Sequence, residues 1–415
     1  MLRTTSSPSV LVAALATSLS AFACSGSSGG DVTPLEPSGS SGDTSASSNG
    51  NTASSSSPTS SGSDDAGVTL GSPSEDAGSW SSPAPPASND AGGAPTSVAD
   101  AGTSSTGDAA TGAPPPSTAK TDYAPYFPTW VWGASGYAFT SLADLQSKSG
   151  LNEVTIAFVL SNGGCNTTQD IEQNAGDVKA FIAAGGHVKA SFGGADGTYV
   201  EAKCGSASAF ASAIESFVDA TGITDLDFDI EQDAVLTDSV NAMRGQALKM
   251  AQDAKGIQVA FTLAANPSPN GGLTSQGLSV VSNALSAGVK VGHVNLMTMD
   301  YGDSFAGKPL APVAIGSLTD ANAQLMKLDA SLSQADAWAM LGVIPMIGKN
   351  DDSEVFSLAD AKTLAAFATT NALGLVSFWS IDRDQVCPKG ADFNTCSTVD
   401  TSNFAFNAVL QPTAN

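Results

Sequence analysis

Residues 224–231 read TDLDFDIE, which puts Asp225, Asp227, Asp229 and Glu231 on alternate positions with Leu226, Phe228 and Ile230 between them. An extended strand with this period sends the carboxylates to one face and the apolar side chains to the other. Same-face neighbours lie about 7 Å apart, where two unit charges repel by roughly 2 kcal/mol at an effective dielectric of ~20. A row this costly needs surroundings that use it. A calcium loop does not account for it: counting from Asp225, position six is Ile230 rather than glycine and position twelve is Leu236 rather than glutamate. An edge strand with a solvated acidic face fits poorly, because the apolar residues alternate with the acids and the segment sits centrally among several similar ones.

Those other segments begin near Thr121. Strand-like runs are PTWVWG (128–133), EVTIAFVLS (153–161), HVKASFGG (187–194), ITDLDFDIE (223–231), IQVAFTLAA (257–265), VGHVNLMTMDYG (291–302), LGVIPMIG (341–348) and LGLVSFWS (373–380). Helical patterns lie between them, such as 170–185, 206–221, 238–254 and 357–370. Gly185 and Gly186 close one, and Ser357, three residues before Asp360, opens another. Eight strand-then-helix units over 121–415 predict an α/β fold, a (β/α)8 TIM barrel, rather than an open doubly wound sheet. In such a barrel chemistry sits at the C-terminal ends of the strands. The acidic strand is the fourth, so Leu226, Phe228 and Ile230 pack outward against helices while the acids point inward. Glu231 then reaches the mouth, with Asp229 below it and Asp227 deeper. Crowded, desolvated carboxylates raise one another's pKa, which keeps a proton available to a general acid near neutral pH.

TDLDFDIE resembles the fourth-strand signature of glycoside hydrolase family 18, D-G-x-D-x-D-x-E. Three further stretches are similar to family motifs at the matching strands: SFGG (191–194) to S-x-G-G, MTMDYG (297–302) to the Met-x-Tyr motif, and FWS (378–380) to the eighth-strand tryptophan. Glu231, Asp229 and Asp227 match, whereas Thr224 and Asp225 stand where the family has Asp and Gly. The sixth strand aligns in two ways, one retaining Tyr301 and the other retaining Asp300; inward parity with Asn295, Met297 and Met299 favours Tyr301. The resemblance implies a chitinase of retaining, substrate-assisted mechanism acting on N-acetylglucosamine polymers. An endo-β-N-acetylglucosaminidase on glycoprotein glycans and a non-catalytic sugar-binding barrel are the alternatives. It implies Glu231 as acid/base, Asp229 and Asp227 as its supports, Tyr301 on the acetamide oxygen and Trp379 as the hydrophobic floor. Ser191, Gly193, Met299 and Asp300 are the remaining motif residues expected at the substrate. Trp130 and Trp132 suit sugar stacking, with core packing the alternative for each.

The ends and the composition complete the picture. The chain has 415 residues and a formal net charge of −24, which argues against nucleic acid or an anionic membrane surface as partner. Residues 1–24 read as an export signal with a short apolar core, and SAFAC (20–24) resembles a lipobox in which Cys24 is lipidated. Residues 25–120 are rich in Ser, Gly, Ala, Pro, Thr and Asp, too poor in apolar side chains to offset chain entropy, and read as a disordered tether. A membrane association is expected only through that lipid, the location is extracellular, outer-surface or periplasmic, and the protein is expected to be a monomer. Of the three pairings open to Cys165, Cys204, Cys387 and Cys396, 165–204 with 387–396 is favoured. With no Cys-x-x-Cys spacing and only His187 and His293 as histidines, no metal or cofactor is expected.

Overall fold

Phe228 shows why the fourth strand is buried on both sides: its ring lies 5.2 Å from that of Phe192 and 6.2 Å from that of Phe261 on the adjoining strands. In the computed structural model, which describes residues 121–267, 271–391, 393–399 and 402–411, these belong to one parallel sheet. The expectations for residues 1–24, Cys24 and 25–120 lie outside the described residues. Strand β1 has two segments, Asp122–Tyr123 and Tyr126–Pro128. The others are β2 (Glu153–Val159), β3 (His187–Gly193), β4 (Asp225–Ile230), β5 (Gln258–Asn266), β6 (Val291–Met297), β7 (Leu341–Ile344) and β8 (Leu375–Val376). Each pairs in parallel with the next, and β1 closes the barrel, its first segment pairing with β8 and its second with β2.

The first strand departs from expectation. PTWVWG is not a strand; Thr129–Val131 forms a 3-10 turn, and the strand lies just upstream. The alternating Trp-Val-Trp mimics period two, but only Val131 is buried, while Trp130 is 54% exposed. Pro125, which reads as a strand breaker, sits between the two segments. The N–H groups of Asp122, Ala124 and Tyr126 bond toward β8, at Gly374, Val376 and Phe378. Pro125 lies between these donors, so its missing N–H leaves that side of the ladder whole.

Helices cover the outside, and their starts and stops follow from local chemistry. Ser206 caps Ala207–Thr221, which ends at Gly222 with φ 76°, and Ser357 with Asp360 forms the expected capping box on Leu358–Asn371. Leu226, Phe228 and Ile230 are buried between strands and helices. Both favoured disulfides are present, Cys165–Cys204 and Cys387–Cys396.

The barrel interior explains Asp225, the acid outside the motif. Lys189 of β3, 4% exposed, lies 2.7 Å from Asp225, 3.2 Å from Glu153 and 3.6 Å from Asp122. Burial works against the ammonium, yet Asp225 and Glu153 outweigh it and hold Lys189 protonated. Asp225 is therefore the counter-ion of a buried lysine at the N-terminal end of the barrel, and the row of acids divides into a structural end and a functional end.

Candidate active site

Two residues above Asp225, Asp227 is wrapped in donors. Its Oδ2 accepts from Ser191 Oγ at 2.7 Å and Tyr126 Oη at 2.9 Å, and its Oδ1 accepts from Thr262 Oγ1 at 2.8 Å and Asn295 Nδ2 at 3.4 Å. Burial raises its pKa while the hydroxyls oppose the rise. Asp229, two residues further, is only 4% exposed and its Oδ1 has no partner. Burial, then Glu231 and Asp227, push its pKa well up. Of the two, Asp227 has the donors that stabilise a carboxylate, so the proton belongs on Asp229.

Glu231 stands just past the end of β4. Its backbone N–H donates to Tyr199 Oη at 2.9 Å, and that hydroxyl donates to the carbonyl oxygens of Gly194 and Asp229. Gly193 serves the same seat: its φ is 113°, and a Cβ there would strike the Asp229 carbonyl oxygen. Burial pushes the Glu231 pKa up to about 7, aided by Asp300, Asp196 and Asp351. That value suits a general acid near neutral pH.

Glu231 and Asp229 open into a cavity of about 250 Å³ with Tyr126, Trp379, Met299 and Asp300 among its lining. Trp379 forms an aromatic floor, stacked on Phe158 with centroids 5.5 Å apart and edge-on to Tyr126 at 5.7 Å. Asp300 has a left-handed backbone, φ 51°. It is fixed by the loop after β7: its N–H donates to Asn350 Oδ1 at 3.3 Å, and its Oδ1 accepts from the Asp351 N–H at 2.9 Å.

Several expected site residues fall elsewhere. Tyr301 is not in the cavity lining; its hydroxyl meets Ser317 Oγ at 3.3 Å and its ring packs 5.8 Å from Phe305. Strand β6 ends at Met297, so the parity that favoured Tyr301 does not extend to it, and the alignment that retains Asp300 fits the geometry. Trp132 packs 5.1 Å from Phe127 and donates to Asp177 Oδ2 at 2.8 Å, which makes it a packing residue. Trp130 remains exposed, edge-on to Trp379 at 6.0 Å. Ser191 is fully buried on Asp227 and Gly193 seats Asp229, so both support the carboxylates rather than face a sugar. Sequence reasoning missed Tyr126, Tyr199 and Thr262. Thr262, a lone polar residue in the apolar run IQVAFTLAA, carried a usable signal; Tyr126 was hidden by the misplaced first strand.

The family model for glycosyl hydrolases family 18 matches residues 122–349. The chain is 33% identical over 294 residues to Endochitinase 11 of Metarhizium anisopliae, covering 66% of this chain and 54% of that protein. It is 32% identical over 327 residues to a probable bifunctional chitinase/lysozyme of Escherichia coli (strain K12), covering 72% of this chain and 35% of that one. The chain thus spans about half, or less, of the curated relatives it matches. The solved catalytic domain of a hyperthermophilic chitinase from Pyrococcus furiosus superimposes with a TM-score of 0.61 at 28% identity, covering 70% of this chain and 93% of that one. With the three aspartates of β4, Glu231 just beyond them and a closed barrel, the chain belongs to the glycosyl hydrolases of family 18.

Proposed function

We propose that the protein is a chitinase, hydrolysing β-1,4-linked N-acetylglucosamine polymers with retention of configuration and with the substrate's own acetamide as nucleophile. The observation that carries this reading is the pairing of Glu231, its pKa pushed to about 7, with Asp229, whose buried Oδ1 lacks a partner. An oxygen buried without a partner is costly unless a ligand satisfies it. The N–H of a 2-acetamido group supplies that donor.

Glu231 gives its proton to the glycosidic oxygen as the C1–O bond breaks. The acetamide oxygen attacks C1 and forms an oxazolinium ion, an exception to the two-carboxylate route of most retaining glycosidases. As the charge develops, Asp229 yields its proton to the adjoining Asp227, and as the anion it accepts the amide N–H and offsets the positive charge. Glu231, now ionised, takes a proton from water, which attacks C1 and reopens the ring. The Trp379 face carries the sugar, and Trp130 extends the platform outward.

Export, lipidation at Cys24, a tether over 25–120 and action as a monomer belong to the same proposal; the two disulfides suit an oxidising compartment. Loss of fatty-acid labelling in Cys24→Ser tests the lipid. For the chemistry, release of reducing ends from chitin oligosaccharides is set against release of glycan from a high-mannose glycoprotein. Cleavage of the first alone is expected. Cleavage of the glycoprotein alone would identify an endo-β-N-acetylglucosaminidase, and binding without cleavage a sugar-binding barrel. Glu231→Gln abolishes turnover and spares binding; full activity in that variant would refute the mechanism.

A further inference from the structure

Glu354 is a fully buried acid that the hydrolytic steps leave unused. It stands in the hairpin after β7, where 348–349 pair with 355–356, and neither of its carboxyl oxygens makes a hydrogen bond. The tip of that hairpin is laced to the loop after β6. Asp300 donates its N–H to Asn350 Oδ1 at 3.3 Å, and its Oδ1 accepts from the Asp351 N–H at 2.9 Å. The Gly302 N–H donates to Asp352 Oδ2 at 2.7 Å, and Ser353 Oγ donates to Asp303 Oδ1 at 2.6 Å. Asp352 Oδ1 in turn accepts the Glu354 N–H at 2.8 Å. Met299, Asp300 and Asp351, drawn from the two loops, all line the cavity. Glu354 is therefore lodged where the loops that build one wall of the cleft meet.

The surroundings of its carboxyl favour a neutral acid. Burial has the largest effect, and Asp352 on its own hairpin and Asp300 across the joint add to it, lifting the pKa from 4.5 to about 7. The N–H groups of Tyr301 and Gly302 face the carboxyl and oppose the rise, though outside hydrogen-bond geometry. The Tyr301 hydroxyl, itself raised by burial and then by Glu354, is neutral. The Lys349 ammonium, on the same hairpin, turns instead to the Asp352 carbonyl at 2.9 Å and to the Phe393 ring. An unpaired carboxylate buried here is costly, and a neutral acid much less so.

We infer that Glu354 is a positioning residue for the hydrolysis: as a neutral acid it fills the joint between the two loops, and its ionisation beside Asp352 and Asp300 drives them apart and displaces that wall of the cleft. The inference rests on the hydrolytic reading for its main assay. That assay is kcat/KM on a fluorogenic chito-oligosaccharide from about pH 4 to about pH 9, for the wild-type protein and for Glu354→Gln, whose amide matches the neutral acid. Wild-type activity falls with the loss of two protons, from Glu231 and Glu354, and that of Glu354→Gln with the loss of one. A wall displaced by about 1 Å costs on the order of 100-fold, so the variant is up to about 100-fold the faster at about pH 9, while the two agree at about pH 5. A one-proton limb in the wild type would overturn the inference, as would a two-proton limb retained in Glu354→Gln. A variant merely less stable at every pH, with its limb unchanged, would reduce Glu354 to packing and refute it equally. Absent turnover in the wild-type chain would instead sink the hydrolytic reading, and urea unfolding then decides the role of Glu354. A pKa raised in the folded state gives stability that is whole below about 4.5 and lost as the pH rises through about 7, so the wild type weakens against Glu354→Gln across that window. A difference that stays constant with pH would count against the inference.

Discussion

Replacing Asp300 by Asn moves the alkaline limb of the pH–rate profile to lower pH. The Glu231 carboxyl rises from an ordinary 4.5 to about 7, a difference worth about 3.4 kcal/mol. Burial is the largest cause and Asp300 the next, with Asp196 and Asp351 following. A cavity of about 250 Å³ is roughly 8 Å across if taken as a sphere, and one charge at that distance contributes about 1 kcal/mol at an effective dielectric of ~40. That corresponds to ~0.8 pH unit. The general acid must carry its proton, so kcat/KM falls as pH rises through its pKa. Removing an anion makes ionised Glu231 easier to form, so its pKa falls. The limb therefore moves down by about 0.5–1 pH unit. Asn keeps the Oδ1 that accepts from the Asp351 N–H at 2.9 Å, which preserves the loop. The assay is kcat/KM on a fluorogenic chito-oligosaccharide from about pH 4 to pH 9. An unmoved limb, or one displaced upward, would refute the electrostatic reasoning; a uniform loss of rate without displacement would place Asp300 on the substrate alone.

Lys189→Met strands Asp225 and Glu153 beside each other in the barrel interior and costs about 3–5 kcal/mol at neutral pH by urea unfolding. Although burial pushes Glu153 up, its bond to His187 and the charge of Lys189 hold it below the usual range, so its native contribution is present above the unfolded pKa and lost on acidification. The deficit of the variant accordingly shrinks as the pH falls into the carboxylate range, and a cost under about 1 kcal/mol would refute the pairing. Tyr301→Phe leaves kcat/KM within about twofold, because its hydroxyl meets Ser317 outside the cavity; a hundredfold loss would restore it to the site. Trp130→Ala raises KM for long oligomers severalfold at constant melting temperature, whereas Trp132→Ala loses about 2–3 kcal/mol of stability by urea unfolding and leaves KM alone. The opposite pattern would reverse their assignments.

The parity of β4 was legible because one strand's alternation is a local property: once Leu226, Phe228 and Ile230 are outward, the acids are inward. What each acid does was not legible, because that depends on register with other strands. Ser191 pairs with Asp227 and Thr262 with Asp229 in the ladder, and nothing within TDLDFDIE encodes those alignments. Lys189 could have been found, since it shares the parity of Ser191 in HVKASFGG and an inward lysine needs an anion. Tyr126 was lost because the Trp-Val-Trp alternation of 130–132 placed the first strand too late, whereas the strand lies just upstream. The mouth was the least readable region. Strand periodicity placed Tyr301 inward, but β6 ends at Met297, and beyond that point the bonds that Asp300 donates to Asn350 and accepts from Asp351 decide the geometry. Those partners lie about fifty residues away in sequence. The division has a physical origin. Barrel strands are specified by repeating backbone geometry and read locally, while the loops that finish the site are specified by one-off contacts between distant segments. Asp225 and Glu231, two ends of one strand, show the consequence: identical local signals end as the counter-ion of Lys189 and as an acid at the cleft, according to what the rest of the chain brings to each.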